Sequence, residues 1–139
     1  MKVRFRGEPT LRPNSNGHKF EITEDFKVLV GAIQVIIPKG FWTDLASTPR
    51  LIWSIYPPIE FRDEGVLHDW LYKEQLWNGK KVTRKQADKV LRLFVAQKHG
   101  YITGFNFYYS VRLSTKAKKA WNKYKSDREA KEKLDIDTE

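Results

Sequence analysis

Cysteine is absent from this sequence, and its absence excludes several classes of site. The chain can form no disulfide bond, no thiolate ligand for a metal ion and no thiol nucleophile. It also lacks an apolar run long enough to span a bilayer, and the basic residues at positions 1–6 are not followed by the apolar segment of a signal peptide. We therefore expect no transmembrane segment and a cytoplasmic site of synthesis.

Acidic residues are outnumbered in this chain of 139 residues. It has 26 lysines and arginines against 17 aspartates and glutamates, which gives a formal net charge of +9. This balance predicts attraction to a polyanion such as nucleic acid, anionic lipid or an acidic protein. The cations crowd the segment from Lys116 to Lys133, a pattern that is more often a solvated helix face than a binding site. We predict one α+β domain over residues 1–125 and a charged, flexible tail over residues 126–139.

The first third of the chain predicts an antiparallel β-meander. Apolar residues alternate, or are β-branched, in four segments, which we predict to be strands: Met1–Phe5, His18–Thr23, Phe26–Val30 and Ile33–Ile37. Residues 7–17 are rich in proline, glycine and asparagine and are predicted to form a loop. We expect Ile33–Ile37 to be the central strand of the sheet.

The remainder predicts three or four helices packed against that sheet. A short helix begins at Pro49, after a serine and a threonine that can cap it. The next helix runs from about Phe61 to Trp77 and ends at Asn78-Gly79, a typical helix stop. A capping box at Thr83 opens a third helix, which Gly100 ends. The short connection predicts that the second and third helices are antiparallel neighbours.

Beyond Gly100 the pattern predicts a turn over Tyr101–Gly104 and then a further helix that contains Val111 to Tyr124. Seven apolar residues of the predicted strands and helices are expected in the core: Val35, Ile37, Leu51, Leu67, Leu71, Leu91 and Phe94.

His68, Asp69 and Tyr72 interrupt an otherwise apolar segment. A helix that is apolar nearly all round is normally buried, and ionisable groups are costly there unless they are paired or bound to a metal. The spacing of three and four residues lets all three side chains line one side of the helix. Two interpretations stay open. The residues form either a buried polar network that ties neighbouring helices together or the ionisable groups of an active site.

Two further aspartates are candidates for the same site. Asp88 lies at the margin of the apolar face of the third helix, so it needs a partner, and His68 is within reach if the two helices cross suitably. Asp44 lies on the loop that follows the sheet. It either prepares the next helix through an Asx turn or directs its carboxylate at His68 and Asp69.

Three short motifs together resemble a family of functionally uncharacterised proteins from tailed bacteriophages and prophages. They occur in this order: Gly40-Phe41-x-Thr43-Asp44-x-Ala46-Ser47-x-Pro49, His68-Asp69-x-x-Tyr72 and Ala87-Asp88. The resemblance covers roughly residues 30–100. It implies a phage origin, a location in the cytoplasm of the infected host or in the virion, and phage structural proteins as possible partners.

A second resemblance covers about 30 residues. The run His68-Asp69-Trp70-Leu71-Tyr72-Lys73-Glu74-Gln75-Leu76-x-x-Gly79, followed by Ala87-Asp88-x-x-Leu91, is similar to the helical core of phospholipase A2, especially the domain of parvovirus capsid proteins. The resemblance implies that His68 is a general base, that Asp88 orients it and that Tyr72 hydrogen-bonds nearby. It implies that Asp69 binds Ca²⁺. This chain lacks the glycine-rich calcium loop of those enzymes, and Asp44 is our candidate for the missing ligand.

Three functions follow from these observations. The first is a phospholipase-like or other metal-assisted hydrolase that cleaves a phospholipid or another ester, with His68, Asp88 and Tyr72 in the catalytic site and Asp44 and Asp69 at the metal. The second is a non-enzymatic virion, tail or assembly protein. The third is a basic module that binds nucleic acid or an acidic host protein through its lysine-rich C-terminal region.

Overall fold

The computed structural model has short antiparallel strands near the N-terminus, followed by four helices, which confirms the predicted α+β class. It describes residues 3–6, 11–13, 20–43, 52, 55–56, 61–77 and 79–137. In this part of the chain, no helix combines the length and the apolar character that are needed to span a bilayer.

The strands of the N-terminal half form two three-stranded antiparallel sheets. They are β1 (Val3–Arg6), β2 (Leu11–Pro13), β3 (Phe20–Ile22), β4 (Phe26–Val30), β5 (Ile33–Ile37) and β6 (Trp42–Thr43). The sheet orders are β1-β4-β5 and β2-β3-β6, so the strands are not joined as one continuous meander. Strand β2 lies inside the segment that we predicted to be a loop, because its pairing with β3 outweighs the local preference of proline.

Strand β4, and not β5, is the central strand of the first sheet, so our assignment of Ile33–Ile37 to the centre was wrong. The β-branched composition of β5 correctly indicated a strand but does not specify its neighbours. Phe26 pairs with Ile37 and Val28 with Val35, and all four side chains are buried on one face. The alternation of buried and exposed residues fixes this register.

Four helices make up most of the remaining chain: α1 (Arg62–Glu74), α2 (Arg84–His99), α3 (Tyr101–Leu113) and α4 (Thr115–Asp137). Helix α1 ends earlier than predicted, at Gln75, which adopts a left-handed conformation with φ of 55°. The next residues form a short hairpin of β7 (Leu76–Trp77) and β8 (Lys80–Lys81). The predicted helix stop at Asn78-Gly79 was wrong, because α1 ends before it and Gly79 lies in the turn of this hairpin.

The predicted turn over Tyr101–Gly104 is also wrong, because these residues form the first turn of helix α3. Ser114 is extended and separates α3 from α4, and its hydroxyl accepts a hydrogen bond from the backbone N–H of Ala117. The single helix predicted across this region is thus two helices. Helix α4 continues to Asp137. The domain boundary after residue 125 stays a prediction.

Helices α1 and α2 are antiparallel, as predicted. The Phe61 ring at the start of α1 packs on His99 at the end of α2, with ring centroids 4.0 Å apart. At the other end, the Arg84 guanidinium donates to the Tyr72 hydroxyl. The predicted capping box at Thr83 is confirmed, since both of its reciprocal hydrogen bonds are present.

Most of the predicted core is confirmed. Six of the residues that we expected inside are buried: Val35, Ile37, Leu67, Leu71, Leu91 and Phe94. Leu51 lies outside the described residues, as does most of the helix predicted to begin at Pro49. Ile52 and Ile55 of that segment are helical, and the carbonyl of Ile52 accepts a hydrogen bond from the Tyr56 backbone N–H.

Gly104 allows α3 to approach α2 closely. A Cβ atom at this position would lie 2.8 Å from the Arg92 carbonyl oxygen and 2.9 Å from the Ala96 Cβ, so one helix would have to shift.

We predict that Gly104→Ala lowers the free energy of unfolding by about 1–2 kcal/mol, although alanine is the better helix former by about 1 kcal/mol. Chemical denaturation measures this change. Ile102→Ala, at an exposed position of the same helix, serves as the control and should change stability by less than about 0.5 kcal/mol. A Gly104→Ala variant more stable than the parent would contradict the close approach.

Candidate functional site

Polar side chains lie along the inner face of helix α1. Glu64, His68 and Tyr72 follow one another at intervals of four residues, and all are buried, as is Gln75 at the end of the helix. Because residues four apart lie on one side of a helix, these groups face the protein interior together. Each buried polar group therefore needs a partner inside the protein.

Asp88 of helix α2 is the partner of two of these residues. Its Oδ1 atom lies 2.8 Å from His68 Nε2 and accepts a hydrogen bond of 2.7 Å from the Tyr72 hydroxyl. The side chains of His68 and Asp88 are both 0% exposed. The structure thus brings together all three residues that the sequence assigned to a catalytic site, in contact with one another across the α1–α2 pair.

Two arginines approach the other oxygen of the same carboxylate. Arg112 of helix α3 donates to Asp88 Oδ2 at 3.0 Å, and the Arg84 Nε atom lies 4.0 Å from it. Arg84 also donates to the Tyr72 hydroxyl at 3.2 Å and to the backbone carbonyl of Val111 at 2.7 Å. The carboxylate therefore connects helices α1, α2 and α3. We call Asp88, His68, Tyr72, Arg84 and Arg112 the Asp88 network.

The network keeps Asp88 ionised. Burial alone would raise the pKa of this carboxyl, but the hydrogen bond and charge of His68, with the hydrogen bonds of Tyr72 and Arg112, outweigh burial and lower the pKa below its ordinary value. Burial and the adjacent Asp88 charge raise the pKa of Tyr72, so its hydroxyl stays protonated. Tyr72 is accordingly a hydrogen-bond donor and not a base.

This arrangement fixes the orientation of the imidazole. An ionised carboxylate can only accept hydrogen bonds, so the Nε2 atom of His68 bears the proton that faces Asp88. In the neutral ring the other nitrogen, Nδ1, is then the basic atom. A carboxylate that holds one imidazole nitrogen in this way is the feature expected of an oriented general base.

Asp69 lies on another side of helix α1 and is half-buried. Its Oδ2 atom accepts a hydrogen bond from the hydroxyl of Thr43, at the end of strand β6. Asp44, the other predicted metal ligand, lies outside the described residues. Among the residues that the structure does describe, no three His, Cys, Asp or Glu side chains are grouped as metal ligands. Because Ca²⁺ takes six to eight oxygen ligands, Asp69 alone is an incomplete donor set for this ion.

Sequence reasoning missed both arginines of the Asp88 network. Arg84 lies four residues before Asp88, a spacing that allows an ion pair on one helix, and this signal was available. Arg112 has no such spacing from Asp88 in the sequence. No local pattern could place it, because 24 residues separate it from Asp88 and the contact depends on how α3 packs.

Glu64 was also missed, and it is the least well satisfied group of the inner face. It is 1% exposed, and neither carboxyl oxygen accepts a hydrogen bond from another residue. Burial raises its pKa from 4.5 to about 7, against the opposing effects of its own backbone N–H and of Lys98. The folded protein therefore binds a proton at Glu64 in a pH range where the unfolded chain has released it.

Glu64 should make the protein less stable as the pH rises. A raised pKa in the folded state stabilises the protein below pH 4.5, and this contribution is lost as the pH rises to about 7. We predict that Glu64→Gln has little effect near pH 4 but raises the free energy of unfolding by up to about 3 kcal/mol near pH 8. Thermal melts across this range measure the effect. Glu129→Gln, at an exposed site on α4, is the matched control. If the stability of Glu64→Gln fell between pH 4 and pH 8 by as much as that of the parent, the result would contradict the burial of an unpartnered carboxyl.

Comparisons with known proteins place the chain in a family without a known activity. No curated protein and no solved structure matches it. One family model, described as a protein of unknown function (DUF1353), matches residues 20–111, about two thirds of the chain. The match contains His68, Tyr72, Arg84 and Asp88, so most of the Asp88 network lies within the family region. The chain belongs to the DUF1353 family.

Proposed function

We propose that this chain is a phage-derived hydrolase in which His68 acts as the general base on water. The observation that supports the proposal is the 2.8 Å contact between His68 Nε2 and Asp88 Oδ1, with Tyr72 donating to the same oxygen. The similarity of His68-Asp69-x-x-Tyr72 and Ala87-Asp88 to phospholipase A2 suggests a phospholipid or another ester as the substrate. The proposed place of action is the cytoplasm of the infected host or the virion.

The residues of the Asp88 network have different roles in the proposed reaction. Nδ1 of His68 accepts a proton from water as the water attacks the ester carbonyl, and the imidazolium then returns a proton to the departing alkoxide. Asp88 holds the ring in the required tautomer and stabilises its positive charge. Tyr72 and the two arginines position Asp88. Because the side chain of His68 is 0% exposed, the residues that cover it must move apart before an ester can reach Nδ1.

That complete burial favours a second candidate function. A network with no exposed surface at His68 or Asp88 also suits a virion, tail or assembly protein in which these groups only fix the packing of three helices. Buried hydrogen-bonded networks commonly specify one helix arrangement. The two candidates make opposite predictions for activity and similar ones for stability, so turnover is the measurement that separates them.

The first test removes the base. We expect hydrolysis of phospholipid vesicles or a soluble ester by the parent protein and a fall of about 10²–10⁴-fold in His68→Asn. Asp88→Asn should also slow the reaction, since an amide can hold the imidazole in the wrong tautomer. It should cost up to about 3 kcal/mol in stability, because it removes the charge that pairs with the partly buried Arg84 and Arg112. His99→Asn, at the far end of α2, is the control histidine and should retain the parental rate.

Absence of turnover by the parent on both substrates, with calcium present or absent, would eliminate the hydrolase. Destabilisation of His68→Asn and Asp88→Asn in that case would support the assembly protein. Retention of the parental rate in folded His68→Asn would show that another group is the base.

The second test concerns the metal. If Asp69 and Asp44 bind Ca²⁺, adding calcium should raise the melting temperature of the parent, because a ligand that binds only the native state stabilises it. Asp69→Asn should lose most of this shift, whereas Asp127→Asn, an exposed aspartate on α4, should keep it. Magnesium at the same ionic strength controls for salt. If calcium and magnesium have equal effects, the metal proposal fails, while the role of His68 is unaffected.

A further inference from the structure

Helix α3 carries an apolar stripe that is largely exposed and adjoins helix α2 at the half-buried Phe105. Tyr101, Phe105, Tyr109 and Leu113 follow at intervals of four residues, and Ile102 lies beside them. Ile102 is 75% exposed and Leu113 is 80% exposed, and both tyrosines are also exposed. We call these five residues the α3 stripe.

The α3 stripe is exposed although helix α3 is apolar on both of its sides. The opposite face of α3 is buried through Gly104, Phe107, Tyr108 and Val111, so the helix is apolar on both sides. A helix of this kind is normally covered all round. Single exposed apolar side chains need no explanation, but a contiguous row along one helix is typical of an interaction site.

A row of cations borders the stripe. The side chains of Lys85, Lys89 and Arg92 lie one turn apart on helix α2, and both lysines are exposed. Arg92 lies over the rings of Phe105 and Tyr108, at 5.4 and 5.2 Å from their centroids. Helices α2 and α3 are antiparallel, since Gly104 lies against Ala96 whereas Val111 contacts Arg84. Lys89 and Lys85 therefore continue this row along α2 towards the C-terminal end of α3. We call these three residues the α2 cation row.

We propose that the α3 stripe and the α2 cation row together bind the surface of a membrane that contains anionic phospholipid. Tyrosine rings suit the boundary between headgroups and acyl chains, and the aliphatic ends of Ile102 and Leu113 can enter the acyl region. The adjacent lysines and arginine can pair with headgroup phosphates. The proposal does not depend on hydrolysis or on the Asp88 network.

The ring packing favours a membrane over single-stranded nucleic acid. Nucleobases bind by stacking on free aromatic faces. In the α3 stripe the rings already contact one another: Phe105 stacks with Tyr109 at 5.3 Å and meets Tyr101 edge-on at 4.7 Å. Arg92 lies on the Phe105 ring as well. The most exposed members, Ile102 and Leu113, have no ring to offer a base.

Charge favours a membrane over a second copy of the chain. Each copy has a formal net charge of +9, and pairing two α3 stripes would bring two α2 cation rows close together. Like charges at such a distance repel, whereas an anionic surface attracts both the row and the whole molecule. Of the possible occupants, anionic lipid therefore best complements the apolar and the basic halves of this surface.

Vesicle binding tests the proposal with the full chain. The probe is unilamellar vesicles of phosphatidylglycerol and phosphatidylcholine in equal parts, with pure phosphatidylcholine for comparison, in a flotation assay. The parent should bind the anionic vesicles. Ile102→Ser and Leu113→Ser, tested singly and together, should each weaken binding about tenfold. Lys85→Gln and Lys89→Gln should each weaken it about fivefold, chiefly at low salt. All these positions are exposed, and circular dichroism checks that each variant is folded.

The matched control is Lys131→Gln with Lys133→Gln, which removes the same charge from exposed positions on α4. This pair should weaken binding less than the α2 pair. An equal or larger loss would move the contact to the lysine-rich helix α4 and overturn the proposal. The proposal would also be overturned if the parent did not bind anionic vesicles at low salt. It would likewise be overturned if the folded double variant Ile102→Ser/Leu113→Ser kept the full binding of the parent. If the parent bound single-stranded DNA but no vesicles, the proposal would fail. It would also fail if the parent bound no vesicles but formed a dimer that the double variant could not form.

Discussion

The buried carboxylate of Asp88 is the constraint on which the helical part of this protein depends. An unpaired charge at a fully buried position would be prohibitively costly, so the surrounding helices must supply donors. Helix α1 supplies the donors His68 and Tyr72, and α3 supplies the donor Arg112. Arg84, in the first turn of α2, adds a positive charge 4.0 Å from the carboxylate. Any displacement of one helix relative to the others leaves a donor or the carboxylate unsatisfied, and this penalty selects one packing arrangement.

The two oxygens of Asp88 have different surroundings. Oδ1 faces α1 and receives the ring N–H of His68 and the hydroxyl of Tyr72, whereas Oδ2 faces the guanidinium groups. The arginines compensate the negative charge of Asp88, so the carboxylate does not depend on His68 alone for this. The same division serves both candidate functions, because a base held in one tautomer and a helix crossing held in one geometry require the same set of hydrogen bonds.

Sequence reasoning succeeded where a contact follows from helical period and short connections. The contact of His68 with Asp88 follows from the apolar pattern of α1 and α2 and from the short segment that joins them. It failed where one local signal has two meanings. Asn78-Gly79 suits a helix stop and a hairpin, and only the pairing of Leu76 with Lys81 decides. Gly104 suggested a turn, yet it lies within helix α3, where glycine is required because α2 leaves no room for a Cβ.

The helical period of the sequence could not predict the contact of Arg112 with Asp88, because this contact depends on how α3 packs. The same packing links the site to the protein surface. Arg112 and Leu113 are adjacent on the last turn of α3, one in contact with Asp88 and the other exposed. Arg84 and Lys85 have the same relation at the start of α2. A ligand on the α3 stripe and the α2 cation row would therefore contact residues that directly adjoin both arginines of the Asp88 network. Such a ligand changes the network only if it binds better to a different packing of the helices, because binding alone supplies no coupling.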